Sequence, residues 1–343
     1  MDRWLALWII LAMRAGLLLG NMLPELGATL ESWKIGQVSF PIALGLLVMM
    51  YPPLAKVRYD KSVHLISDKR LMTVSVMLNW VLGPALMFVL AWVFVPDLPE
   101  FRTGLIIVGL ARCIAMVLIW NDLACGDREA AATLVAINPL FQVFMFGVLG
   151  WFYLQILPNW LGLPSTSAEF SFGAIVSSVV VFLGIPLLLG FLSRMLGEHL
   201  KSRAWYEQEY LPKISPLALL GLLYTIVLLF ALQGEQISNH PSAVGRLAIP
   251  LLAYFIVMFF IALFISRVTG MGYEQSTTVS FTAAGNNFEL AIAVCIGTFG
   301  AHSGQALAGT IGPLIEVPVL ITLVYVLRWI APKLFKNVPT LKG

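Results

Sequence analysis

The chain has 343 residues, 59% of them hydrophobic and only 11% charged, with a formal net charge of +3 and a mean hydropathy of +0.89. That composition leaves too little polar surface to cover a soluble globule. Three cysteines without a CxxC spacing exclude a disulfide framework and a zinc site, and there is no nucleic-acid motif or basic stripe, so no metal, cofactor or nucleic acid is expected.

Apolar runs of about 20 residues read as membrane-spanning helices, and ten can be placed. They cover roughly residues 4–22, 37–55, 71–95, 103–122, 130–156, 171–196, 214–233, 247–268, 276–299 and 306–330. The first run carries Arg14 and lacks an A-x-A site, so it reads as a retained helix rather than a signal peptide. Proline punctuates the connectors, at Pro52-Pro53, Pro96, Pro99, Pro158, Pro164 and Pro241. With the N-terminus in the cytoplasm, that side receives sixteen Lys and Arg residues, among them Arg3, Arg58, Lys61, Lys336 and Lys342. The other side receives three: Lys34, Arg102 and Arg246. Such a bias predicts both termini cytoplasmic and an even number of spans.

The halves resemble each other at an offset of 174 residues. Asn138-Pro-Leu-Phe-Gln-Val143 matches Gly312-Pro-Leu-Ile-Glu-Val317, and Gly109-Leu-Ala-Arg-Cys113 falls on Ala283-Ala-Gly-Asn-Asn287. Five spans per half force the second half to enter from the opposite face, an inverted repeat of the kind secondary transporters use. The predicted fold is therefore an all-α polytopic membrane protein of two inverted five-helix repeats, residues 1–160 and 165–335. Helices four and nine are expected to be discontinuous and to cross, near Ala111-Arg-Cys113 and Gly285-Asn-Asn287.

The second of these stretches places Asn286, Asn287 and Glu289 in an apolar span, where a mid-helix charge costs on the order of 2.5–3.5 kcal/mol. Glu289 should therefore face a cavity or another helix. Burial disfavours its charged form, which makes it the first candidate proton carrier; a permanent salt bridge to Arg112 or Arg14 is the alternative. Glu316, its counterpart Gln142, and Asn138 are further candidates for the same network. Arg112 reads either as a substrate contact or as the neutralising partner of an acid. The asparagines either satisfy broken backbone or bind ligand. Cys113 is by residue type a packing residue, but it follows an intramembrane arginine at the expected break, where a thiolate is favoured and a thiophilic centre would choose sulfur. Cys125, twelve residues on, is roughly 18 Å away along a helix, so a single thiol is what the site offers. All four histidines fall in connectors, and no Ser-His-Asp set, HExxH or Walker sequence is present, so an enzyme or ATP-driven pump is not expected.

Four stretches resemble the arsenite permeases of the yeast-type arsenical-resistance family, within the bile acid/sodium symporter superfamily. They are Gly109-Leu-Ala-Arg-Cys-Ile-Ala-Met-Val117 with Trp120-Asn-Asp122, Val135-Ala-Ile-Asn-Pro139, Ala283-Ala-Gly-Asn-Asn-Phe-Glu-Leu-Ala-Ile-Ala-Val294 and Gly312-Pro-Leu-Ile-Glu-Val-Pro318. The resemblance implies a panel domain (about 4–55 and 171–233) and a core transport domain (about 71–156 and 247–330). It implies efflux of arsenite, in some members antimonite, across the plasma membrane in exchange for protons, with the functional cysteine at Cys113 and the functional glutamate at Glu289. A substrate site of Cys113, Glu289, Arg112, Asn286, Asn287 and Asn138, with Glu289 and Glu316 coupling to protons, is the expectation to test. A sodium-coupled organic-anion symporter and a channel-like metalloid facilitator are the alternatives. The sequence leaves the oligomeric state open.

Overall fold

In the computed structural model the described residues are 5–23, 25–35, 38–57, 68–114, 116–164, 171–239 and 241–335. Arg3, Arg58, Lys61, His64, His240, Lys336 and Lys342, used above in reading charge and connectors, lie outside the described residues. The elements run α1 (Leu5–Met22), α2 (Leu26–Ser32), a hairpin β1 (Lys34–Ile35) and β2 (Val38–Ser39), α3 (Phe40–Ala55), α4 (Lys69–Phe94) and α5 (Pro99–Leu110). They continue with α6 (Val117–Leu123), α7 (Arg128–Trp160), α8 (Phe172–Leu200), α9 (Leu211–Asn239), α10 (Pro241–Val268), α11 (Tyr273–Ala284), α12 (Phe288–Phe299) and α13 (Gly304–Leu334). Among the described residues six helices are long and apolar enough to cross a membrane: α4, α7, α8, α13, Arg203–Leu232 and Gly245–Val268. Leu7–Met22, Phe40–Ala55 and α12 are shorter apolar helices.

Proline shapes the long helices locally. Pro84, Pro158, Pro186 and Pro212 each lie two residues beyond a wide turn, Leu78–Leu82, Phe152–Ile156, Val180–Gly184 and Tyr206–Tyr210. In each case the residue before the proline donates its N–H five residues back, as Gly83 does to the Leu78 carbonyl and Ile185 to that of Val180. A proline ring collides with the carbonyl four residues earlier. Adding one residue to the turn moves that carbonyl aside, and the helix continues as a π-bulge instead of breaking.

Two groups of helices pack within themselves. In the first, α9 lies against α1 and α3, and α8 against α3. Gly16 and Gly20 form a seam on α1, and a Cβ at Gly16 would sit 2.7 Å from Cβ of Phe230. Small residues four apart let two helix backbones approach in a membrane, where van der Waals packing rather than the hydrophobic effect drives association. In the second group, α10 packs on α4, α11 and α13, and α13 on α5 and α12. Ionic contacts sit at its ends. Arg246 pairs with Asp97 at 2.5 Å and also donates to the Phe94 carbonyl. Arg102 lies 3.7 Å from the Trp92 ring centre and donates to the Pro96 carbonyl.

The hydrogen bond from Arg246 holds the Asp97 carboxyl down at about 2, below its ordinary 3.8. A carboxylate held low in the folded state contributes stability above its ordinary value and loses it as pH falls through the folded one. Exposed pairs contribute little, so the expected effect is small. The melting temperature of the purified protein should drop between pH 4 and pH 2, and Asp97→Asn should remove that increment.

Several sequence expectations are corrected here. The residues before α3 are not a plain connector: α2 and the hairpin, with Lys34 opposite Ser39 and Ile35 opposite Val38, occupy them. Two-residue strands are too short for an alternating pattern to show. The interruptions expected within residues 103–122 and 276–299 are present: the first span stops at Leu110 and resumes at Val117, the second stops at Ala284 and resumes at Phe288. Arg14 is exposed on α1, and no ion pair among the described residues joins Glu289 to Arg14 or Arg112.

Candidate functional site

The site forms where α5 and α11 stop. Helix α5 ends at Leu110, Ala111 turns to extended backbone (φ −83°, ψ 112°), and α6 resumes at Val117. Helix α11 ends at Ala284, Gly285 is likewise extended (φ −73°, ψ 146°), and α12 resumes at Phe288. The two extended pieces pair as a single antiparallel bridge, Arg112 opposite Asn286, with the Asn287 N–H donating to the Ala111 carbonyl at 3.0 Å. Such a fragment deep in apolar surroundings survives because protein groups replace the missing helix partners.

Side chains supply those partners. Gln142 of α7 accepts from the Arg112 N–H and donates to the Arg112 carbonyl, both at 3.0 Å. Glu316 of α13 accepts from the Asn286 N–H at 3.3 Å. Asn138 donates to the Cys113 carbonyl at 3.0 Å. Its counterpart Gly312 has no side chain, and the Phe288 ring fills that space so closely that a Cβ there would overlap it. Asn287 caps α12 by accepting from the Leu290 N–H at 3.1 Å.

Arg112 is fully buried. Its guanidinium donates to the hydroxyl of Tyr254 at 2.8 Å, to Asn286 Oδ1 at 2.9 Å and to the Gly109 carbonyl. Tyr254 in turn donates to the Ala283 carbonyl at 3.3 Å, so one tyrosine of α10 ties both broken strands together. These partners of Arg112 are neutral, so of its two readings the one in which it neutralises an acid is not seen among the described residues.

Cys113 is buried, at 1% exposure. A Cβ placed on Gly285 would be 3.1 Å from Cys113 Cβ and 3.3 Å from Glu316 Oε1, so both residues border the space left by the missing side chain of Gly285. Glu289 sits in the first turn of α12 and is partly exposed. Three buried donors at the crossing, Arg112 Nε, Asn286 Nδ2 and Asn287 Nδ2, have no hydrogen-bond acceptor among the described residues. Each is costly when left unpaired, and together they suit a small ligand rich in oxygen. The two α11 hydroxyls nearest the break, Ser280 and Thr282, do not add to this set: they bond back to carbonyls of their own helix at 2.6 and 2.7 Å. The crossing thus gathers Cys113, Arg112, Asn138, Asn286, Asn287 and Glu316, with Glu289 at its edge. Gln142 and Tyr254 belong to it as well. Gln142 was visible from the repeat, whereas Tyr254 is one polar residue in an apolar helix and carries no motif.

Long apolar helices around two interrupted ones, with the interruptions paired and lined by buried donors, define an integral membrane protein of the transporter class. Comparison with known proteins agrees. A family model described as the sodium bile acid symporter family matches residues 43–240. The arsenical-resistance protein Acr3 of Corynebacterium glutamicum is 68% identical over 341 residues, covering 99% of this chain and 92% of that protein. Acr3 of Alkaliphilus metalliredigens is 32% identical over 94% of this chain and 91% of its own length, and an uncharacterised transporter of Synechocystis is 34% identical over 95% and 88%. The chain belongs to the arsenical-resistance branch of the sodium bile acid symporter family.

Proposed function

We propose that this protein exports trivalent arsenic as arsenite across the plasma membrane in exchange for protons. The observation that carries the reading is the crossing itself: a buried cysteine and a buried acid bordering Gly285, with three buried donors at the same crossing that have no acceptor among the described residues. Two relatives, both arsenical-resistance proteins, support the substrate. Neutral arsenite is a small trihydroxide centred on a thiophilic atom. The Cys113 thiol displaces one hydroxyl, forming an S–As bond and releasing water that carries the thiol proton; water reverses the step on release. Asn286, Asn287 and Arg112 donate to the remaining oxygens, and Asn138 fixes the backbone from which Cys113 projects. Glu289 and Glu316 carry the exchanged protons.

The architecture proposed with this function has ten spans, both termini cytoplasmic, and two inverted repeats. It is supported by Arg112 and Gln142 standing 174 residues from Asn286 and Glu316 and sharing their bonding geometry. The panel consists of α1, α3, α8 and α9, and the remaining long helices move as the transport core against it.

Sealed everted vesicles test the proposal. Arsenite should accumulate against its gradient only when a proton gradient is imposed, and a protonophore should abolish the accumulation. Glu289→Gln should bind arsenite yet fail to couple to the gradient; uptake still driven by ΔpH would remove Glu289 from the coupling step. The family description makes sodium coupling the second reading. Accumulation that follows sodium and ignores ΔpH would select it.

A further inference from the structure

Arg112 and Asn286 face each other in the bridge without bonding each other, since the Asn287-to-Ala111 bond lies beside them. In that kind of antiparallel pair the N–H and C=O of both residues point outward, away from the partner strand. Each therefore needs one acceptor and one donor from outside the bridge. For Arg112 both come from one side chain, because the Gln142 amide accepts from the N–H and donates to the C=O. For Asn286 the equivalent residue, 30 positions further on in each case, is Glu316. A carboxylate has acceptors alone; a carboxylic acid has one acceptor and one donor, as an amide does.

We propose that Glu316 is a proton-dependent clasp on the Asn286 backbone, matching the permanent clasp that Gln142 places on Arg112. The inference rests on the proton-coupled reading above and deepens it. When Glu316 takes a proton, its new O–H donates to the Asn286 carbonyl while its other oxygen keeps the Asn286 N–H, and the broken strand is held on both edges. When the proton leaves to water, the O–H bond breaks and a carboxylate oxygen is left facing a carbonyl. The second strand then loosens, while the first stays fixed. Asn286 and Asn287 carry two of the three unpaired donors, so loosening this strand changes substrate grip. Glu316 is thus a positioning residue rather than a ligand.

The groups that can perturb this titration are few. Glu289 is in the first turn of α12 beside the break, Cys113 lies across Gly285, and Arg112 with Tyr254 of α10 stands behind Asn286 Oδ1. Between Thr103 and Leu110, α5 presents no ionisable side chain. Asp122 of α6 is paired with Arg128, and Arg14 of α1 and Tyr224 of α9 are exposed.

The test compares the wild type with Glu316→Gln, Gln142→Glu and the double swap. It has two readouts: the melting temperature of the purified full-length protein from pH 5.5 to 8 without substrate, and arsenite exchange in vesicles without a gradient over the same range. A second bond made only by the acid form stabilises at low pH and is lost as pH rises. The wild type should therefore melt lower at alkaline pH. Glu316→Gln should flatten the melting profile near the acidic plateau and flatten the pH profile of exchange. Gln142→Glu should steepen both profiles, and the double swap should restore a single pH-dependent step. A Glu316→Gln protein that keeps the wild-type pH profile of melting overturns the clasp. Should that variant fold poorly, Gln142→Glu without added pH dependence overturns it equally. Because melting needs no substrate, wild-type vesicles that ignore arsenite would refute the transport reading while leaving the clasp to be judged on melting alone.

Discussion

Cys113→Ser should reduce arsenite accumulation in everted vesicles to the level of vesicles lacking the protein, while the amount and melting temperature of the purified protein stay near wild type. The substitution keeps the backbone, whose carbonyl is held by Asn138, and a hydroxyl occupies slightly less space than the thiol it replaces. What is lost is the soft ligand, because an alcohol has little thermodynamic preference for trivalent arsenic over the hydroxyls already bound to it. Each 1.36 kcal/mol of lost transition-state stabilisation is about tenfold in rate, so losing one sulfur–arsenic contact is enough to put transport below detection. Packing alone could not produce that pattern, since a residue that only fills space would affect the melting temperature and transport together. Transport unchanged in a well-folded Cys113→Ser protein would reduce the thiol to packing.

Much of the site could be read from the residues before any coordinates. The charge bias, the apolar runs and the two Gly- and Asn-containing interruptions are local signals, and Ala111-Arg-Cys113 and Gly285-Asn-Asn287 mark the places where α5 and α11 stop. The offset of 174 also set Gln142 opposite Glu316. Their task stayed hidden, because clasping a backbone N–H and C=O 30 residues upstream is a relation that only folding creates. The placing of the two acids was likewise beyond the sequence. Glu289 drew attention by lying next to the asparagines, but Glu316, from a different helix, is the acid that reaches Gly285 beside Cys113. Tyr254 escaped for the opposite reason: a single tyrosine among apolar residues of α10 looks like an aromatic core residue. The wide turns before Pro84, Pro158, Pro186 and Pro212 follow from proline sterics, yet their neighbours carry no signal separating a bulge from a kink.

Arg112→Lys should be as damaging as removing the residue. The guanidinium reaches Tyr254, Asn286 Oδ1 and the Gly109 carbonyl at once, from a side chain with no exposure. A planar fork of five donors can span three acceptors in different directions, whereas an ammonium on a flexible stem is a single point. Hydrogen bonds to a charged group contribute about 1.5–3 kcal/mol each, and the acceptors left behind lie on three separate elements, α5, the second strand and α10. Losing two of them unties Tyr254 from the bridge, and with it the link to the Ala283 carbonyl. The lysine variant should therefore yield less monodisperse protein in detergent, melt lower than wild type and show no arsenite exchange even at saturating substrate. Tyr254→Phe removes the hydroxyl but keeps the ring packed against Phe255, so it should melt between the two. A lysine variant with wild-type melting would mean that the guanidinium serves the substrate alone and that the strands hold together without it.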